Sequence, residues 1–128
     1  MGATEPRATM TARDEVLMRG LSDWVPLQRA HYHVAAEHPG ESLITTRRRV
    51  LALIRTLVSD GSAELGDLQG PDDRFVAWPG PLDESMHRIE RVYVERFADE
   101  SIWPWYAWLS LTATGEALAR RIEMTQLG

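Results

Sequence analysis

The sequence predicts an α+β fold, mostly helical with a small antiparallel β-sheet, and three observations predict it. Residues 41–60 form a long amphipathic stretch, a pair of short β-prone runs flanks Gly70-Pro71-Asp72, and 44% hydrophobic with 26% charged residues over 128 positions is globular composition. At this length roughly two thirds of the unfolded surface can be buried, so a core is possible without staples. Residues 11–128 are expected to be one domain, preceded by a mobile arm at 1–10, which is small, polar and aperiodic around Pro6.

The first helix is predicted from Thr11, which can cap it, with Asp14 and Glu15 in its first turn and Gly20 as its end. A second helix is expected from Asp23 as cap, with Pro26 in its first turn and His38-Pro39-Gly40 closing it. Trp24, Leu27, Val34 and Ala35 would share its apolar face. The third helix is the clearest: Val50, Leu53, Ile54 and Leu57 make one stripe, widened by Leu51 and Val58, and Gly61 stops it. AELGDL and FVAW around the Gly70-Pro71-Asp72 turn read as a β-hairpin.

Pro79-Gly80-Pro81 breaks the strand, and Leu82, Met86, Ile89, Tyr93 and Phe97 then recur at helical spacing, predicting a fourth helix through Phe97. Its charged face offers the i,i+4 pairs Glu84–Arg88, Arg91–Glu95 and Arg96–Glu100. IWPWYAWLSLT is aromatic and β-branched enough for an edge strand after Pro104, with Trp103 and Trp105 on one face and Tyr106 and Trp108 on the other. A last helix, capped by Thr112 or Thr114, ends the chain.

This order resembles winged-helix domains of the helix-turn-helix class. The likeness is carried by VLALIRTLVSDGSAELGDL (Val50–Leu68), similar to a helix-to-wing junction, and by LSLTATGEALA (Leu109–Ala119), similar to the exit into the last helix. The helix from Leu82 is an insertion relative to that pattern. The resemblance implies a DNA-binding regulator whose recognition helix enters the major groove. Thr46, Arg47, Arg48, Arg49 and Arg55 would then be the nucleic-acid contacts, while the wing tip GPDDR would oppose them, because its Asp72 and Asp73 would meet phosphate with repulsion.

Charge divides the chain. All 14 basic residues are Arg and the net charge is −5, yet residues 42–59 carry +4, while residues 60–100 hold 11 acids against four arginines. An acidic surface beside tryptophans suits a basic protein partner, since complementary charge speeds encounter and aromatic anchors supply contact energy. The leading expectation is therefore a non-enzymatic cytoplasmic module that masks such a partner, as antitoxins and immunity proteins do. Its surface would combine Asp67, Asp72, Asp73, Asp83 and Glu84 with Trp103 or Trp105. The DNA-binding regulator, acting as a homodimer with two such helices, is the alternative.

Other chemistries find little footing. Without Cys or Lys there is no thiol chemistry, Schiff base or P-loop lysine. No serine sits in a GxSxG elbow, and GSAELG is not a dinucleotide cradle. His31, His33, His38 and His87 lack the i,i+4 spacing of helical metal ligands, so no metal or cofactor is expected, and His31 reads as a packed side chain. No apolar run approaches the roughly 18 residues that span a bilayer, so no membrane partner is expected.

Overall fold

A computed structural model describes residues 10–127, so the arm expected at 1–10 lies almost wholly outside the described residues. Among the described residues, five α-helices accompany a four-stranded antiparallel sheet: α1 (Ala12–Gly20), β1 (Val25–Pro26), α2 (Leu27–Glu37), α3 (Leu43–Ser59), β2 (Ala63–Gln69), β3 (Arg74–Ala77), α4 (Leu82–Tyr93), β4 (Trp108–Leu111) and α5 (Ala113–Leu127). The expected α+β class is the observed one.

Local chemistry sets several boundaries. Thr11 and Asp14 close a reciprocal capping box on α1, satisfying donors that a helix start otherwise leaves open. Ser42 accepts from Thr45 N to cap α3, and the α3 stripe buries Val50, Ile54 and Leu57 against the sheet and α2. Thr112, one of the two candidate caps, is the one that accepts from Gly115 N, at 3.1 Å.

Three expected elements differ. The second helix starts at Leu27 rather than after Asp23: the residue before a proline is driven toward extended backbone, and Val25 and Pro26 instead pair with Leu109 and Trp108 as an edge strand. Trp24 is thus not on a helix face. The fourth helix stops at Tyr93, because Phe97 must turn inward to stack on Trp103 with ring centroids 4.7 Å apart. Among the described residues none of the three i,i+4 pairs forms. Arg88 lies 4.0 Å over the Trp78 ring and Arg96 reaches Asp99 instead, so aromatic packing outcompetes weak exposed ion pairs. The Trp-rich segment begins as a 3-10 turn at Trp103–Trp105, and the strand that follows is central, with sheet order β1-β4-β2-β3.

Val25, Leu109 and Leu65 are cross-strand partners and all face the core. Pro26, Trp108 and Gly66, next along each strand, therefore share the opposite face. There the Phe75 ring lies across Gly66, where a Cβ would meet it at 2.8 Å and the Val76 carbonyl oxygen at 2.2 Å. Gly66→Ala is accordingly expected to cost about 2–3 kcal/mol, because a backbone carbonyl cannot rotate away. Urea unfolding would check it, and an unchanged midpoint would contradict the close approach.

His31 packs as expected. It is within hydrogen-bond distance of the Tyr93 hydroxyl and meets the rings of Phe97 and Trp103 at 5.5 and 5.4 Å. Burial, then the nearby Arg47, lowers its pKa, and burial raises that of Tyr93. Below the ordinary histidine range the unfolded chain takes up a proton that folded His31 resists, so stability should fall as pH drops below about 6.5. Thermal melts across pH 5 to 8 should show this slope, and His31→Gln should reduce it, leaving the share of His33, whose pKa burial also lowers.

Candidate binding surface

The β2–β3 hairpin carries the acidic tip. Gly70, with φ +79°, and Asp73, with φ +50°, take left-handed backbone to close the turn, a conformation that Gly and Asp tolerate better than most residues. Because Phe75 folds over Gly66, its ring comes within 6.5 Å of the Trp24 ring, nearly parallel to it. The tip and Trp24 thereby enclose a groove of about 510 Å³ lined by Trp24, Gln69, Gly70, Pro71, Asp72 and Arg74. Asp72 and Asp73 are exposed, and among the described residues neither forms an ion pair.

In this groove, which Arg74 also lines, the Trp24 indole offers an incoming cation a quadrupole and Asp72 a counter-charge. Trp24 was not among the expected contact residues. Its neighbourhood to Pro26, which forbids a helix there, is the signal that could have freed it.

The other expected residues of this surface are distributed unevenly. Asp67 lies half-buried on β2. Trp105 is 54% exposed and stacks on Trp108 at 6.0 Å, on the sheet face that also carries Phe75. Trp103 is a correction: it is 5% exposed, held between His31, Tyr93 and Phe97, and offers no surface to a partner. Asp83 and Glu84 begin α4 rather than joining the tip, and Asp83 is bound to Arg55 at 2.7 Å, which holds its carboxyl below the usual range.

The arginine-rich helix is less open than its sequence implies. Asp83–Arg55 near one end and Arg47 donating to the Val94 carbonyl near the other lay α4 antiparallel along α3. Thr46 is buried, so it cannot reach a base edge. Arg47 is half-buried over the Phe97 ring at 5.1 Å, and Arg49 makes a two-pronged pair with Glu41 at 2.7 and 2.8 Å. Of the five expected nucleic-acid contacts, Arg48 alone is exposed and outside any ion pair among the described residues.

Among the described residues no three His, Asp or Glu side chains converge as metal ligands would, and no helix is long and apolar enough to cross a membrane. No protein-family model, curated protein or solved structure matches the chain.

Proposed function

We propose that the protein is a non-enzymatic binding module that masks a basic protein partner in the cytoplasm, using the hairpin tip. The observation that carries this reading is the groove lined by both Trp24 and Asp72, in which neither Asp72 nor the neighbouring Asp73 is ion-paired among the described residues, Arg74 on the same groove included. A partner arginine entering it would gain a cation–π contact and a charge-assisted hydrogen bond in one step. Exposed Trp105 and half-buried Trp108, stacked on each other, extend the contact with aromatic area on the same sheet face.

The winged-helix resemblance remains part of this reading as a scaffold. Its support is the run of three helices into a β-hairpin, with the first and last strands paired. Engagement of DNA through α3 is the weaker reading, since Arg49 and Arg55 already hold carboxylates and α4 lies alongside.

The test is a pair of titrations at low salt, one with a short oligo-arginine peptide and one with a short DNA duplex, followed by tryptophan fluorescence and anisotropy. Binding of the peptide but not the duplex is expected. Salt-sensitive duplex binding lost on Arg48→Ala plus Arg55→Ala, with no response to the peptide, would transfer the function to α3.

A further inference from the structure

Between the first half of α3 and the end of α4 lies a second groove, of about 510 Å³. Ile44 and Leu51 on α3 and Val94 after α4 supply its apolar surface, Arg47 and Arg48 line the α3 side, and Glu90 and Glu95 line the α4 side. Ile44 is 59% exposed and Val94 39%, an adjacent apolar pair on neighbouring elements of the kind that marks a contact surface. Arg48, Glu90 and Glu95 form no ion pair within the chain among the described residues. The groove thus has a positive bank, a negative bank and an open apolar floor.

We infer that this groove is the interface of a homodimer. Two ways of closing a two-fold pair over it differ in charge. An axis running across the groove would set α3 on α3, arginine against arginine. An axis running along the groove exchanges its banks, so that α3 of one copy faces α4 of the other and Arg48 meets Glu90 and Glu95 of its partner. The second arrangement is complementary at both banks simultaneously, as an isologous interface requires, and each Ile44 enters the other copy's apolar floor. This self-complementarity commits the occupant to a second copy: an acidic partner would oppose one bank and a basic partner the other. Neither Trp24 nor the tip acids line this groove, so the dimer and the masking function stand or fall separately.

Sedimentation equilibrium over a concentration series tests it with the wild type, Arg48→Glu, Glu90→Arg plus Glu95→Arg, and the three changes combined. A dimer is expected for the wild type, weakened roughly tenfold or more by either reversal and recovered in part when both are present, because the contact of residue 48 with residues 90 and 95 is restored with its signs exchanged while Arg47 keeps its charge. Ile44→Asp should give a monomer at all concentrations. These side chains are exposed, and unchanged far-UV circular dichroism confirms that each variant folds. A folded wild type that is monomeric throughout, or a combined variant that associates no better than the single reversals, overturns the inference. Association untouched by any of these changes assigns the interface to another surface and overturns it equally.

Discussion

The Gly115→Ala variant is expected to melt roughly 8 °C or more below the wild type. Two effects oppose each other at this position. Gly115 lies in the first turn of α5, where helix propensity alone predicts a gain of up to about 1 kcal/mol on replacing Gly by Ala. A Cβ there would sit 2.0 Å from the Ser62 carbonyl oxygen, which already accepts from Thr112 N at 3.0 Å. The carbonyl is fixed by the turn between α3 and β2, so relief requires α5 to move as a body, and overpacking of this kind costs about 3 kcal/mol. Packing wins by about 2 kcal/mol, and each kcal/mol is worth about 4 °C at this chain length. Differential scanning calorimetry decides the sign: a raised melting temperature would mean that α5 does not rest on Ser62.

Replacing Asp72 by Arg and Asp73 by Asn should lower affinity for the oligo-arginine peptide about thirtyfold at low salt. Asn is chosen at position 73 because the backbone there is left-handed, at φ +50°, which Asn adopts readily and Arg does not. The turn is thereby kept while three units of charge change. Exposed pairs contribute up to about 1 kcal/mol each, so the expected loss is about 2 kcal/mol, or thirtyfold. The difference should shrink in concentrated salt, where screening shortens to a few ångströms. Trp24→Ala should cost a further several-fold that salt does not remove, since the ring's contribution includes contact area. Equal affinities for wild type and variant at low salt would exclude the tip as the binding surface.

How far the site was legible depends on the range of the interactions that build it. The hairpin turn and its two acids were readable because Gly70-Pro71-Asp72-Asp73 is local turn chemistry between β-prone runs. The partner of that turn was not. Trp24 lies far from it in sequence and reaches it because Phe75 folds over Gly66, an approach that depends on a missing Cβ facing another strand. The arginines of α3 were equally visible, but their neutralisation was not, since Glu41 and Asp83 come from outside the helix.

Periodicity and caps, which act over one or two helical turns, were sufficient to specify the α+β class, the amphipathic third helix, the Thr11 cap and the hairpin, while the choice of Thr112 over Thr114 as the last cap came from the structure. Competition among distant groups settled the rest. Tyr93 ends α4 because Phe97 gains more from Trp103 than from another helical turn, and β4 is central because β1 claims its free edge through Val25 and Pro26. Trp103 is buried while Trp105, two residues on, is open, because a 3-10 turn directs them apart where a strand would have aligned them. Local sequence lists the available partners for each side chain; which one wins is a difference of small energies that exists only once the chain is packed.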